Sequence, residues 1–519
     1  MEDTLIAPAA ARDVAAPSAK PRWRDLREWL ELVEDYGSLR HIDSEVDPEE
    51  ELAAIAWMTT RRPSEPALLF EKFLHNPLNC RVLINILGAS KERYALAVGI
   101  DPEMSLPDMV QATRHLVKQR IPPIYVAKDK APVNEVVWRD KDIDLTKFPA
   151  PKFWPADGGA FIGTGGITLT RHPDGGRINV GVYRQQLFEK NRIGLNCVPG
   201  RHGLADCEAA WAQGKPAEIV SAFGIDPVLF MVGSQRFGPN ESELDAAGGI
   251  MGQPVELTTA EFVSLPIPAR AEIVIEGLVH PGDVQTEGPL GEFHGFYSGG
   301  PKLNPVIEVK AVHFRRNPIL TAALMANYPS SEVGEHHSLM RSARIYDDLD
   351  RIGIPGIKAV YCHPAAAGGA CMAVVSLKQM YIGHASQALA LTAQSPAATY
   401  YTKWIIAVDD DVDPTNFDDV VWAMSTRCNP ADDIDFIRNT MSFRADPSLA
   451  PNNKPHGSKI LINACAPYRW INQQPMRTFL RKSVYDRVAK RWGELKLPGR
   501  PPQVKSFFEE NSSPQDAVE

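Results

Sequence analysis

The 519-residue chain lacks a cysteine framework. Its seven cysteines (80, 197, 207, 362, 371, 428 and 465) are dispersed, and no two stand in a C-x-x-C spacing. An odd, scattered set excludes a disulfide scaffold and a cysteine zinc site, and it implies reduced thiols in the cytoplasm. Long apolar runs are missing too: stretches such as Val82-Leu83-Ile84 are strand-sized, so no membrane span is expected. There is no basic excess; the net charge of -9 argues against a nucleic-acid or anionic-membrane partner. H-E-x-x-H, P-loop and G-x-S-x-G signatures are all absent. Gly163-Thr164-Gly165-Gly166 precedes a strand instead of opening a helix, which makes a poor dinucleotide fingerprint. Residues 1–22, rich in Ala and Pro with Glu2, Asp3 and Asp13, have neither the basic start nor the apolar centre of a signal peptide and read as a disordered tail.

What is present is ordinary globular composition, 44% hydrophobic and 23% charged, in a chain too long for one core. Leu26, Trp29, Leu30 and Val33 recur at helical spacing, and the helix should end near Gly37. Asp47-Pro48-Glu49-Glu50 reads as the start of a second helix, with an N-cap, a first-turn proline and acidic residues. Strand-like Arg81–Leu87 completes a small α/β domain over 23–125, and a Pro-rich stretch from Pro122 to Pro155 is the first plausible linker. Strands then dominate a central domain over 126–330: Phe161–Thr170, Ile178–Tyr183, Glu272–Val279 and Val306–Phe314. A second α/β domain over 331–495 should carry strands at 358–362, 372–377 and 404–408, helices at 379–394 and 417–427, and a terminal helix around 476–493. Residues 496–519 read as a tail. Asp409-Asp410-Asp411, between a strand and a helix, reads as a solvated turn.

Three segments could carry chemistry. In Asn179-Val-Gly-Val-Tyr183-Arg184, strand alternation turns 179, 181 and 183 one way and 180, 182 and 184 the other. Arg184 is then either a rim ion-pair partner or a working cation. In Thr286-Glu287-Gly-Pro-Leu-Gly-Glu292-Phe293-His294-Gly, glycines allow a tight fold that can converge two carboxylates on one cavity; exposed loop glutamates are the plain alternative. Pro329–His337 gathers Ser330, Ser331, Glu332, Glu335, His336 and His337, as either a site or a solvated helix start.

Taken in order, "NVGVYRQQL", "EIVIEGLV", "TEGPLGEFHGFYSGG" and "YYTKWIIAVDDDVDPTNFDDVVWAMSTRCNP" resemble the UbiD family of non-oxidative decarboxylases, over nearly the whole chain after residue 22. The resemblance implies an α+β multidomain fold, with a central split β-barrel of flavin-reductase type flanked by N-terminal and C-terminal α/β domains. It implies prenylated FMN, made by a separate flavin prenyltransferase, with Mn2+ (or Mg2+) and often K+. Arg184, Glu287 and Glu292 match the family's catalytic network. Val182, Tyr183, Arg184, Asn196, Cys197, Val198, Arg201 and His202 match its flavin-contacting segments, and Asn179, His202 and Glu243 its metal ligands. Oxygen donors with one imidazole suit Mn2+ better than a soft metal. Phe293, Ser331, Glu332 and His336 should line the substrate pocket, where Glu332 with His336 would accept a phenolic or heteroaromatic hydrogen or, instead, cap a helix and pair together. The family's ubiquinone branch commonly has Asp where Glu292 stands and lacks a counterpart of His202, and the lysine of a fungal branch has none around Ala397-Ala398.

Loss of CO2 from an sp2 carbon leaves a lone pair in the ring plane that no side chain stabilises, which is why a cofactor is needed. The expected activity is reversible decarboxylation of a small aromatic or heteroaromatic acid, with CO2 as co-product and Glu292 as proton donor and acceptor. Polyprenyl-hydroxybenzoate decarboxylation for quinone synthesis and a non-catalytic flavin-binding role are the alternatives. A homodimer or larger assembly is implied.

Overall fold

The computed structural model describes residues 23–238, 241–297, 299–475, 477–502, 504 and 507. The tail expected over 1–22 lies outside these residues, as do most positions after 502. The chain forms two compact units, one running to Met340 with Pro364–Gly369 and Arg444–Pro447, the other comprising Arg341–His363, Ala370–Phe443 and the chain from Ser448.

The first unit begins with helix Leu26–Asp35, capped by Asp25, whose carboxylate accepts from the Arg27 and Glu28 amides. It buries Leu26, Trp29, Leu30 and Val33, the stripe the periodicity predicts. The second helix starts later than expected, at Glu51. Asp47 instead accepts from the Glu49 amide at 2.8 Å, closing a turn ahead of the helix, and Glu50 takes a φ of 63°. A four-stranded sheet follows in the order Leu39–Val46, Ala67–Phe73, Arg81–Ile84 and Ile319–Thr321. Its last strand returns from beyond the central segment to pair parallel with Arg81–Leu83. Leu68, Phe70 and Val82 accordingly share one core with Phe161, Ile219, Ile275, Ile307 and Leu320, so the segments 23–125 and 126–330 pack as one body.

A ten-stranded, largely antiparallel sheet curls into a half-barrel. It runs from Phe161–Gly163 through Gln185–Glu189, Arg192–Gly194, Lys302–Phe314, Ile273–Val279, Ala217–Phe223 and Ile167–Arg171 to Ile178–Gly181. Val284–Glu287 and Val136–Arg139 join it through Lys302–Phe314. The single strand expected over 161–170 is broken in two. A Cβ on Gly166 would lie 2.4 Å from the Phe223 ring, and one on Gly165 would lie 2.8 Å from the Thr321 backbone.

The second unit holds a mixed five-stranded sheet in the order Ile357–Tyr361, Met372–Leu377, Trp404–Asp409, His456–Ala464 and Ile434–Met441. Along the strand Trp404–Asp409, Ile405 and Ala407 pack with helix His384–Gln394, while Ile406 and Val408 pack with helix Phe417–Arg427. The two helices therefore cover opposite faces, which is why this strand reads as an unbroken apolar run. The first helix is shorter than the expected 379–394, and the terminal helix is Lys482–Lys490 rather than 476–493. The acidic triplet is not a solvated turn. Arg427 binds Asp409 at 2.9 Å and Asp411 at 2.7 Å, Arg477 adds Asp411 at 3.1 Å, and Asp410 alone is exposed.

Candidate active site

The first chemical segment divides between two sites, its strand ending at Gly181. Asn179, Gly181 and Tyr183 line a cavity of about 110 Å³, while Arg184 reaches the two glutamates. Arg184 sits between the strands Ile178–Gly181 and Gln185–Glu189. Its Nε donates to Glu287 Oε1 at 2.8 Å, its Nη2 to Glu287 Oε2 at 3.2 Å, and its Nη1 to Glu292 Oε1 at 3.1 Å. Glu287 ends the strand Val284–Glu287 and is wholly buried, and Asn304 Nδ2 also donates to its Oε2. The chain then turns through Gly288, whose φ of 81° suits a residue without a Cβ and which lies close under the Arg184 guanidinium. Five residues on, Glu292 comes back to the same guanidinium.

The two carboxylates have different surroundings. Glu292 keeps 26% of its side chain exposed, and the protein packed around it still pushes its carboxyl above the usual range. Arg184 and Lys302 oppose that rise, while Glu287 and Asp157 add to it. Lys302 faces the pair and donates to Asn196 Oδ1 at 3.1 Å, and partial desolvation lowers its own proton affinity.

The flavin-matching residues gather on the other side. The Tyr183 ring fits between Gly181 and Gly203, where a Cβ would stand 2.7 Å from its Cε2 and its hydroxyl respectively, and that hydroxyl accepts from the Gly203 amide at 3.1 Å. Arg201 lies 6.0 Å over the ring. The Asn196 amide donates to the Arg184 carbonyl at 3.1 Å, tying the two segments together, and Cys197 is buried beside them. The Val182 amide donates to the Gly233 carbonyl at 3.2 Å, and Val198 precedes the turn into helix His202–Ala212. That helix N-terminus opens on the cavity, which Arg201 and Arg236 also line; donors and positive charge together suit a phosphate.

Asn179, His202 and Glu243 line this same cavity. Among the described residues no three His, Cys, Asp or Glu side chains gather as a metal site. Arg177 stands on Glu243 and His202: Nη1 donates to Glu243 at 3.0 and 2.8 Å, and Nη2 to His202 Nδ1 at 2.6 Å. A guanidinium only donates, so His202 accepts as neutral imidazole. Burial, and then Arg177, lower its proton affinity. The positive charge already held there fits a cation site. Asn179 Nδ2 donates to Thr170 Oγ1 at 2.9 Å, which settles which end of the amide is the oxygen and leaves that oxygen as the acceptor.

The substrate expectations fare unevenly. Phe293 is half-buried next to Glu292 and meets the His294 ring at 5.1 Å. Among the contacts described Glu332 does not pair with His336. Its two oxygens take the Ile86 and Leu87 amides at 2.8 and 2.6 Å, and burial makes those main-chain donors its natural partners. Ser331, also buried, accepts from the Val333 amide and packs on Gly88. His336 lies beside Phe230 at 6.1 Å, and burial pushes its imidazole down to about 4. Sequence reasoning passed over Arg177, Asn304, Lys302 and Asp157. The hairpin pairing that sets Glu287 opposite Lys302 and Gln285 opposite Asn304 was the only signal for two of them.

Three family models match in chain order: the 3-octaprenyl-4-hydroxybenzoate carboxy-lyase N-terminal domain over residues 30–113, its Rift-related domain over 124–328 and its C-terminal domain over 336–464. The chain belongs to the UbiD family and is a carboxy-lyase. It is 30% identical over 455 residues to the phenolic acid decarboxylase of Sedimentibacter hydroxybenzoicus, covering 86% of this chain and 92% of that one. Among solved structures it is similar to the UbiD-class enzyme HmfF from Pelotomaculum thermopropionicum in complex with FMN, at 30% identity and a TM-score of 0.78, covering 88% of this chain and 97% of that one. It is also similar to the open form of the Sedimentibacter hydroxybenzoicus vanillic acid decarboxylase, at 29% identity and a TM-score of 0.80, covering 91% and 99%.

Proposed function

We propose that this chain catalyses the non-oxidative, reversible decarboxylation of a small aromatic or heteroaromatic carboxylic acid with prenylated FMN, Glu292 giving and taking the proton at the ring carbon. The observation that carries this reading is one guanidinium joined to two carboxylates of unlike surroundings. Family relatives that act on phenolic and vanillic acids support an aromatic substrate. When bound, the prenylated flavin supplies the electron sink that the side chains lack.

The chain's own residues do the rest. Glu287, fixed by Arg184 and Asn304, holds the guanidinium still, and Arg184 Nη1 aims Glu292. Burial favours the acid form of Glu292, which is the form that can deliver a proton to the carbon vacated by CO2. The same group takes the proton back in carboxylation. Phe293 is our candidate wall for the ring. Val182, Tyr183, Arg184, Asn196, Cys197, Val198, Arg201 and His202 would hold the flavin, in the curled sheet of a split barrel of flavin-reductase type. Asn179, His202 and Glu243 would hold Mn2+ (or Mg2+), with K+ as a further cation, once Arg177 gives way.

A flavin prenyltransferase would supply the cofactor, and the seven free thiols support a reducing compartment. Among the described residues no helix is long and apolar enough to cross a membrane. Helix Lys482–Lys490 buries none of its residues, and Val488, Leu480, Leu495 and Leu497 are exposed on or beside it, which supports self-association into a dimer or larger assembly.

The test is Glu292→Gln, loaded with cofactor and assayed for CO2 release over a panel of aromatic acids. Turnover should fall on the order of 10²- to 10⁴-fold while flavin absorbance stays normal. Full turnover in that protein removes Glu292 from the chemistry.

A further inference from the structure

The loop that carries Glu292 is built against a second loop, Trp154 to Gly158, in which the mechanism so far uses no residue. Asp157 is 6% exposed and at the centre of the joint. Its Oδ2 accepts from the Trp154 amide at 3.0 Å, closing its own turn, and its Oδ1 accepts from the Gly291 amide at 2.9 Å. Gly291 is the residue before Glu292. The joint is tight: a Cβ on Gly291 would lie 2.3 Å from Trp154 Cδ1, and one on Gly158 would lie 2.1 Å from the Gly288 carbonyl. Further ties run from the Gly158 amide to the Pro289 carbonyl at 2.9 Å and from the Ala156 amide to the Tyr297 hydroxyl at 3.1 Å. Gln186 spans both loops, accepting from the Gly288 amide at 2.7 Å and donating to the Gly158 carbonyl at 2.9 Å.

We infer that Asp157 is a positioning residue for proton transfer, acting on Glu292 through the Gly291 amide and through the field of its own carboxylate. The inference rests on Glu292 being the proton donor. Both Asp157 oxygens accept from main-chain amides, an arrangement that an ionised carboxylate satisfies fully and an amide side chain cannot, since its NH2 would face an N–H. The charged groups that face Glu292 are Arg184, Lys302, Glu287 and Asp157. The first two favour its ionised form and the last two its acid form. Of the two anions, Glu287 is bound directly to the Arg184 guanidinium, whereas the Asp157 oxygens are bound by neutral amides; burial raises the Asp157 carboxyl, and those amides and Arg184 oppose the rise.

The experiment follows single-turnover CO2 release against pH in the cofactor-loaded enzyme, roughly from pH 5 to 9. Glu292 must be protonated to donate, so the rate falls at alkaline pH as it ionises. In Asp157→Asn the rate should drop about 10-fold from lost alignment, and the alkaline fall should move down by about half a pH unit because an anion has been removed. Asp157→Glu keeps the charge and loses the geometry, so it should be slow with the alkaline fall in place. Tyr297→Phe cuts a neutral tie to the same loop and should stay within about twofold, with no movement of the fall. An unmoved fall in Asp157→Asn, or an equal movement in Asp157→Glu or Tyr297→Phe, overturns the inference. If Glu292→Gln retains turnover, the proton-donor reading falls as well. If Glu292→Gln is inactive and Asp157→Asn behaves as wild type, only the role of Asp157 falls.

Discussion

Arg177 and Arg184 flank the same short strand, and each grips a glutamate that is 3% exposed or less. Around Arg184 the remaining partner is a second carboxylate, Glu292, which the protein packed around it pushes toward its protonated form while Arg184 opposes the rise. Around Arg177 the remaining partner is a neutral imidazole, with Arg201 and Arg236 lining the cavity beside it. That balance of charge suits an anion such as phosphate. A third buried pair marks the baseline: Glu272, bound by Arg27 at 2.7 Å and Arg315 at 3.1 Å, ties the first helix to the sheet and has no cavity assigned to it among those described. The arginine–glutamate pair is common to all three. What differs is the third group: a second carboxylate at Arg184, an imidazole at Arg177 and a second guanidinium at Glu272.

The comparison breaks most sharply at Arg184→Lys. A single ammonium cannot reproduce the parallel contacts to Glu287 and also reach Glu292. The turnover number, taken per bound flavin, should fall roughly 10²- to 10³-fold, whereas Arg177→Lys should lose no more than about 10-fold. Equal losses in steady-state CO2 release would mean that the two clusters are not separate devices.

Asn304→Leu asks a narrower question. It leaves the wholly buried Glu287 with Arg184 as its one side-chain donor among the contacts described. A hydrogen bond to a buried charge contributes about 1.5–3 kcal/mol, so kcat should fall roughly 10- to 100-fold while KM holds. A loss confined to KM would place Asn304 in substrate binding and remove it from the support of Arg184.

How much of this was legible in the sequence follows from range. Helix Leu26–Asp35 and helix Phe417–Arg427 were readable because their apolar period or boundary signals are local. The return of Ile319–Thr321 to the N-terminal sheet was not, since nothing within three residues announces a parallel partner so far away. The Arg184, Glu287 and Glu292 set came from resemblance, and their convergence depends on a hairpin register that periodicity leaves open. Glu332 shows a different limit. A glutamate among serines and histidines looks chemical, yet it is a staple for main-chain amides, and only its burial reveals that. Arg177 was invisible because an arginine just before a strand looks like any strand-edge charge.

The smallest effect is the most informative about the second cluster. In the metal-free protein the Arg177 guanidinium satisfies Glu243 and His202 together, so an entering divalent ion must first displace a bound cation. Arg177→Gln removes the competitor and leaves Asn179, His202 and Glu243 in place. Mn2+ affinity, read as the decline of the free-ion signal in electron paramagnetic resonance, should rise about 10-fold, equivalent to about 1.4 kcal/mol. The metal-free variant should melt a few degrees lower, about what an uncompensated buried carboxylate costs in a chain of this size, and Mn2+ should restore the loss. Weaker Mn2+ binding in the variant would show that Arg177 supports the site rather than guarding it. The cluster would then belong with Glu272, as a fixed staple whose resemblance to a cation site is one of composition alone.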